Sequence, residues 1–406
     1  MPPAEPILYY QRSTVPSDRV RQVPFYSASF TEGTSRDTGW TVVLDGRVVS
    51  DMTLDLRPWA AAMWLRVGDW WAGGLSGPRT WDRRDTSSSG RVTVRGGSWM
   101  GWLARRHITD TLTYAAVDQF AIAQAVVDWA QTGTPGLDSG DMNITLVREP
   151  TNSGRIRDRT YQAHELKSVR DVVAELAEVD DGFEWLPTAD WPPAEAAPRR
   201  LIRVAYPNIG DATPPYPVVV DGDGAVVTTE AYDGEGLATV VHATGQAIDT
   251  DTDDRPVQTA AAVAAGIPKL EQVISHDTTS NPTTLLKHAV AELRRSQANM
   301  ALAVDLLDHD KYPPGSFRPG DRVLVKAVAD GMHAPAVGVN VWRVVGRTVN
   351  ANDRGQVTQS VELMRDDTLV VPGPHVVSPA DVRAFRRARR RRREEELRQK
   401  VGTKKP

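Results

Sequence analysis

Residues 161–187 read YQAHELKSVRDVVAELAEVDDGFEWLP, a helix signal that runs directly into a strand signal. Ser168 with Asp171 three residues later has the form of a capping box. Val169, Val172, Val173, Leu176 and Val179 recur at helical spacing, so one face of the helix is apolar. Asp180, Asp181 and Gly182 break the pattern. Phe183, Glu184, Trp185 and Leu186 then begin a strand whose alternate side chains reach the same core. The unit has no evident catalytic group, so it speaks about architecture and only indirectly about chemistry.

Toward the N-terminus, residues 23–94 are short, aromatic and β-branched runs separated by turn residues: SASF, GWTVVLDG, RVVSDMTLDL, MWLRVGDWW and GRVTVRGG. Asp45–Gly46 is a hairpin signal between residues 41–44 and 47–49, and residues 88–90 mark another turn. A small barrel or sandwich closes such a set, since isolated hairpins are marginal. SWMGWLARRHI at 98–108 predicts a short helix with Trp99, Trp102 and Leu103 on one side and Arg105 and Arg106 toward solvent. Residues 115–130 predict a second, Ala-rich helix, ended by the QTGTPGLDSGD turn, and residues 143–147 a strand.

Toward the C-terminus, WPPAEAAP at 191–198 reads as a linker. The runs RLIRVAY, YPVVVDG, GAVVTTEAYD and GLATVVHATG read as strands, with a turn at Asp221–Gly224. Residues 249–256 form an acidic loop, and residues 260–266 a short helix or an ordered loop. Asn281 before Pro282 is a helix start, followed by Leu286, Ala289, Val290 and Leu293 at helical spacing. Met300, Leu302, Val304 and Leu306 alternate with smaller or polar residues, as in a half-buried strand. Residues 337–364 predict two long strands joined at 350–355. Past Pro374 a charged helix begins near Ser378–Pro379, with Arg390 and Glu394 among its four-apart pairs and no sustained heptad.

The chain of 406 residues is too long for one core, and roughly 150 residues per domain gives two to four. With 40% hydrophobic and 25% charged residues the composition is that of a soluble globular protein. No apolar run is long enough to span a membrane, and the start lacks a secretion signal. The absence of cysteine excludes disulfides, thiolate metal sites and cysteine nucleophiles. The net charge of −4 is asymmetric: residues 382–406 hold nine Arg, three Lys and three Glu, or +9, which leaves −13 on residues 1–381. An acidic body excludes a broad nucleic-acid-binding face. The basic segment has three readings, a solvated helix, a segment ordered by an acidic partner or its own oligomer, and a nucleic-acid contact.

Nine of the twelve Trp lie before residue 130. A Trp-rich β-domain is either a packed core with an interface or a sugar-stacking surface, and core and interface packing is the stronger claim on large aromatics. Trp70 and Trp71 are adjacent on a strand and point to opposite faces, so one of them leaves its own core to meet a neighbour. Trp70 and Trp71, with Phe385, Arg386 and Arg390 of the basic segment, are the candidate interface residues.

Motifs for chemistry fail on inspection. Asp249, Asp251 and Asp253 begin a calcium-loop spacing, but Asp254 stands where glycine is needed and Ala260 where Glu is. Gly234 and Gly236 lack the strand-to-helix context of a dinucleotide site, and His164–Glu165 lacks the second His of a zinc-protease helix. A fold-assembled carboxylate pair leaves no spacing in sequence; Asp69 and Glu184 are candidates that do not rise above background. No catalytic, cofactor or metal residues are assigned, and the chain is not read as an enzyme.

VRGGSWMGWLARRHI, HELKSVRDVVAELAEVDDGFEWL, TTLLKHAVAELRRSQ and SFRPGDRVLVK together resemble minor tail proteins of long-tailed actinobacterial phages, of the baseplate-hub type. The resemblance covers most of residues 20–370 and rests on packing motifs. It implies a homotrimeric ring at the tail tip of the virion, assembled in the host cytoplasm, with two β-barrels per chain at about 20–105 and 300–370. It also implies the distal tail protein, the tape-measure protein and fibre or receptor-binding proteins as partners, with DNA only in transit and no membrane insertion. The expected class is β-rich α+β and multidomain: an N-terminal β-barrel-like domain (1–105), a mixed α/β domain (106–198), a β-rich domain (199–280), a helix with a second β-barrel-like domain (281–372), and a basic helix (373–406). The alternative is a cell-wall module that binds or cleaves glycan through the Trp-rich domain.

Overall fold

A computed structural model describes residues 5–14, 19–82, 90–132, 141–179, 181–195, 197–211, 216–232, 234–248, 255–262, 267–276, 279–297, 300–327 and 338–365. In chain order the elements are β1 (Pro6–Arg12), β2 (Arg21–Gln22), β3 (Ser27–Gly33), β4 (Gly39–Asp45), α1 (Gly46–Asp51), β5 (Ala61–Val67), β6 (Trp70–Asp82), β7 (Arg91–Gly97) and α2 (Met100–Leu103). The middle of the chain supplies β8 (Leu112–Asp118), α3 (Gln119–Gln131), β9 (Ile144–Glu149), β10 (Ile156–Tyr161), α4 (Val169–Glu178), β11 (Glu184–Asp190) and β12 (Arg199–Ala205). There follow β13 (Val218–Val220), β14 (Ala225–Tyr232), β15 (Val240–Gly245), β16 (Val257–Ala261), β17 (Glu271–His276), α5 (Pro282–Gln297), β18 (Met300–Leu306), β19 (Arg322–Ala327), β20 (Gly338–Asn352) and β21 (Val357–Arg365). The chain is β-rich, and it divides into two compact units: Met1–Tyr232 with Met300–Asp366, and Asp233–Asn299.

The first unit is built on one sheet of 13 strands. The two predicted β-regions are joined in it by β20, which is 15 residues long. One edge of β20 pairs with β19 over residues 338–343 and then, past a register shift near residue 345, with β3 over residues 346–352. Its other edge pairs with β21, to which Asn352 turns back, accepting hydrogen bonds on Oδ1 from the N–H groups of Arg354 and Gln356. Among the described residues no sheet closes into a barrel; the two expected barrels are two arms of one open sheet. Each arm still wraps a core. Leu8, Phe30, Val42, Leu65, Val94 and Val349 fill one, and Val219, Leu302, Val304, Val325, Trp342 and Leu363 fill the other.

A mixed α/β layer lies on the first arm. It holds the three-stranded sheet β11-β12-β9, the pair β8-β10, and α2, α3 and α4. Strands β5 and β6 are buried on both sides as a result: Met63, Leu65 and Trp70 face the arm's own core, and Ala62, Trp64, Trp71 and Leu75 face the core of the α/β layer. The near-continuous burial of β5 follows from this, as for any strand covered on two faces. The helix read at 169–179 is α4: Ser168 Oγ accepts the Asp171 N–H at 3.1 Å, and Val169, Val172, Val173 and Leu176 are buried against Phe183 and Trp185.

Several local expectations change. Asp45 caps α1 instead of turning a hairpin, its Oδ1 accepting the Arg47 N–H at 2.7 Å, because Asp serves an N-cap as readily as a turn. Residues 115–118 are strand, not helix. Pairing of β8 with β10 overrides alanine's propensity, and Ala116 bulges at φ 52° with its N–H on Asp158 Oδ1. The turn at 221–224 forms, but β13 pairs with β19 and β14 with β18, not with each other. Of the Ala-rich stretch 260–266, Ala260 and Ala261 end strand β16, and residues 263–266, like the acidic run 249–254, lie outside the described residues.

Asp118, at the start of α3, shows how side chains fix these ends. Burial alone raises its pKa, but the N–H groups of Phe120 and Gly154 and the Ser153 hydroxyl, each at 2.9 Å, hold it below the ordinary Asp value. A folded pKa below the unfolded one stabilises above the unfolded value of about 3.9 and is lost as pH falls through the folded value. Asp118→Asn is therefore expected to flatten the loss of stability below about pH 4. Urea midpoints across the acid range check it, and an unchanged acid limb would count against this account.

The second unit is small. In it α5 covers one face of the sheet β16-β15-β17, with Val241, Ala243, Leu285, Ala289, Val290 and Leu293 in its core. Asn281 Oδ1 caps α5 by accepting the Thr283 N–H at 2.9 Å, as the Asn-Pro signal predicts. The chain leaves and re-enters the first unit at paired residues, Tyr232 opposite Met300, so the second unit is an insertion into the β14–β18 hairpin. Replacing 233–299 with an Asn-Gly turn is expected to leave the first unit folded, with one cooperative melt by circular dichroism. Loss of cooperative unfolding would show that the insertion is needed for that sheet.

Candidate functional site

The structure places Trp70 and Trp71 back to back. Trp70 Nε1 donates to Glu32 Oε2 at 2.9 Å in the core of the first arm, and Trp71 stacks on Tyr9 at 5.5 Å and meets Trp191 edge-on at 5.3 Å in the α/β layer. The neighbour that Trp71 meets belongs to the same chain. Phe385, Arg386 and Arg390 lie outside the described residues. Among the large exposed apolar residues the tryptophans are Trp59 and Trp81, 41% and 53% accessible. Trp40, Trp64 and Trp99 are buried, so they present no stacking face for a sugar. Glu184 is held by Arg343, and Asp69 is exposed on the turn before β6. His164 sits in a 3-10 turn, Ala163–Glu165. Among the described residues no group of three or more His, Asp or Glu is arranged to hold a metal ion.

What the structure does bring together is a set of buried arginines. Arg347 on β20 binds Glu32 on β3, and both are buried. Glu32 also accepts from Trp70 Nε1 and, at 2.9 Å, from Thr188 Oγ1 of β11; Arg347 Nη1 donates to the Phe317 carbonyl at 2.7 Å, and its guanidinium lies over the Trp70 ring. One pair thus ties both arms of the sheet to the α/β layer. Arg343, also on β20, grips Glu184 in two-pronged fashion and donates to the carbonyls of Ile209 and Gly320, each at 3.2 Å. Arg200 on β12 lies over the rings of both Trp64 and Trp99 and donates to the carbonyls of Ser13 and Met142 at 3.0 and 2.9 Å. Burial pulls its pKa down to about 10, while Asp141 acts in the opposite sense.

Residues 32–37 gather the remaining ties. The Ser35 N–H donates to the Trp185 carbonyl at 2.7 Å, Arg36 Nη2 to Glu362 Oε2 at 2.6 Å, and Arg170 Nη1 of α4 to Asp37 Oδ2 at 2.5 Å. Beside them an open groove of about 590 Å³ is lined by Ser29, Thr31, Thr38, Thr41, Arg95 and Glu362, among others. The 161–187 unit is thereby clamped onto β3 and its loop.

Sequence reasoning missed Glu32, Arg200, Arg343 and Arg347, although a signal existed. Glu32 continues the inward series Ala28, Phe30; Arg347 precedes Val349 and Ala351 in theirs; Arg200 leads Ile202 and Val204. A charge at an inward strand position demands a partner. Chemically, this arrangement spends its charges on each other and on backbone carbonyls. It can fix elements in place.

No family model matches the sequence, and no curated protein matches it. Solved structures do match. A tail protein from Neisseria meningitidis superposes with a TM-score of 0.60 at 11% identity, covering 90% of this chain and 98% of that one. The chain has the fold of a phage tail protein. The 43 kDa tail protein of prophage MuSo2 from Shewanella oneidensis gives 0.57 at 12% identity, over 91% and 99% of the two chains. Prophage tail protein gp18 from Listeria monocytogenes gives 0.51 at 10% identity, over 88% and 94%. The match runs the length of those tail proteins, so the insertion and both arms fall within what is compared. At 10–12% identity it speaks of fold.

Proposed function

We propose that this chain is a structural component of a phage tail tip: a trimeric baseplate hub that connects the tail tube to tip and fibre proteins and surrounds the DNA channel. The observation that carries the reading is the full-length likeness to tail proteins, 98% and 99% of two of them being covered. The buried arginine ties support it, because they build a rigid body and leave no reactive group exposed among them. In this reading each arm of the sheet contributes one barrel-like wall, and three chains give six such walls. The partners are the distal tail protein, the tape-measure protein and fibre or receptor-binding proteins, and the place is the tip of a siphovirus-type tail of an actinobacterial phage. The role is structural and not enzymatic. DNA passes through without stable binding, which the charge of −13 on residues 1–381 favours.

Deleting the coding region from a complete phage genome, with supply of the protein in trans, tests this. Absence of finished tails, restored by the supplied protein and accompanied by its detection at the tip by labelled-antibody microscopy, is the expected result. Complete, infectious tails without the protein would overturn the reading.

A further inference from the structure

Arg57, Pro58, Trp59 and Ala60 form the turn that leads into β5, closed by the Ala60 N–H on the Arg57 carbonyl at 3.0 Å. With proline second and a positive φ third, it has the form of a type II turn, whose third position favours glycine. This chain puts tryptophan there, at φ 67°. A large side chain in that region is strained, and it persists only where its surroundings over-determine it. The bonds around it do so: the Trp59 N–H donates to the Ser76 carbonyl at 2.6 Å, the Trp59 carbonyl accepts from Ser13 Oγ, and Ser76 Oγ donates to the Arg57 carbonyl at 2.8 Å. Ser13 and Ser76 are both buried.

The strained residue is not a core residue. Trp59 belongs to none of the apolar cores, and 41% of it is accessible. Its ring lies over α2, where a side chain at Gly101 would meet Cη2 at 3.6 Å. Cations flank it. Arg57 and Arg79 are exposed and both act on Asp55, Arg57 through an ion pair at 2.6 Å. Arg105 is also exposed; its N–H bonds to the Trp102 carbonyl at 2.8 Å, which sets it one turn along from Gly101. Three guanidiniums against one carboxylate make this patch basic on a body that is acidic as a whole.

We propose that Trp59 anchors a docking surface for a different protein of the tail, its indole seated in an apolar pocket of that partner and Arg57, Arg79 and Arg105 meeting acidic side chains on the pocket's rim. The proposal rests on the tail reading for the source of the partner. Exposed Trp beside Arg is the composition that carries most of the energy at protein interfaces. Guanidinium forks select carboxylates or phosphates over the neutral hydroxyls of a plain sugar. The charge of −13 on residues 1–381 repels a long polyanion such as DNA, and it leaves open a short contact with a partner's carboxylates.

The test puts a photo-cross-linking phenylalanine derivative in place of Trp59 in the full chain, supplied in trans to a phage whose own copy is deleted, and identifies the cross-linked peptide by mass spectrometry. A cross-link to a different tail protein, at a segment bearing Asp or Glu, is the expected result. Trp59→Gly separates anchoring from folding, because glycine takes the positive φ without strain. It is expected to melt with the wild type while the titre of the complemented phage falls at least about tenfold. Arg79→Glu with Arg105→Glu, which leaves the Arg57–Asp55 pair intact, is expected to lower the titre in the same way at an unchanged melting temperature. Cross-linking to a second copy of this chain, to DNA or glycan, to a segment without acids, or to nothing overturns the proposal. So does full titre in either variant, or a Trp59→Gly melt well below the wild type, which would make the ring a packing residue. Infectious tails that lack the chain altogether refute the tail reading; tails that need the chain but not Trp59 refute the anchor alone.

Discussion

Arg347→Met is expected to destabilise the protein by about 3–5 kcal/mol, because it strands the Glu32 carboxylate inside the sheet. Arg347 and Glu32 are both buried, so the carboxylate loses its guanidinium without gaining the exposure that would let bulk water replace it. Trp70 Nε1 and Thr188 Oγ1 still donate to it, so some of the charge remains solvated by the protein. The double variant Glu32→Gln with Arg347→Met keeps an acceptor for both donors and removes the charge. It is expected to recover most of the loss. Urea unfolding of the two singles and the double gives the coupling directly. A single variant that costs less than about 1 kcal/mol would mean that the pair is more hydrated than its burial indicates.

Trp99→Ala is expected to cost a similar amount, about 3–5 kcal/mol, by a different route. Trp99 is fully buried, tilts against Trp64 at 6.1 Å and donates from Nε1 to the Thr188 carbonyl at 3.0 Å. Its removal leaves a cavity, takes one donor from the Thr188 carbonyl and uncovers part of the Arg200 guanidinium, which has no carboxylate among its hydrogen-bond partners. Trp99→Phe keeps much of the packing and the aromatic face, so it is expected to lose less than half as much. Equal losses for Ala and Phe in denaturant melts would locate the effect in the Nε1 hydrogen bond and not in the ring.

Both predictions fall on residues whose roles differ in how far they were legible. Trp99 was placed on the apolar side of a short helix by spacing alone, and it is buried as the N-cap residue of α2. The α4 unit was legible for the same reason: its cap, its 3.6-residue stripe and the aromatic strand after it are local signals that agree. The Asp45–Gly46 turn and the helix at 115–118 were misread, because Asp-Gly and Ala-Ala carry two local meanings and only the partner strand chooses between them. Strand β20 was legible as a strand, and its hairpin with β21 was placed correctly. That it changes partner from β19 to β3 halfway along was not, since pairing across more than 300 residues leaves no mark in a window of ten. Tail-protein fold was reached from packing motifs, and the structural likeness supports it at that coarse level. The seam of arginines was within reach of strand alternation, but each charge looked like an exception until its partner was known.

The pairing of β3 with β20 also sets a clock on biosynthesis. Glu32 waits for Arg347 across 315 residues, which at about 5–20 residues per second leaves β3 without its second neighbour for roughly 15–60 s after it emerges. Over that interval the nascent N-terminal half displays a raw strand edge and a carboxylate facing its interior, a state that invites misassociation. Closing so long a loop is slow, and the late arrival of one strand commits both arms at once. A ribosome that stalls before residue 346 therefore releases a chain unable to complete either arm, whereas one that stalls after residue 365 releases both arms complete.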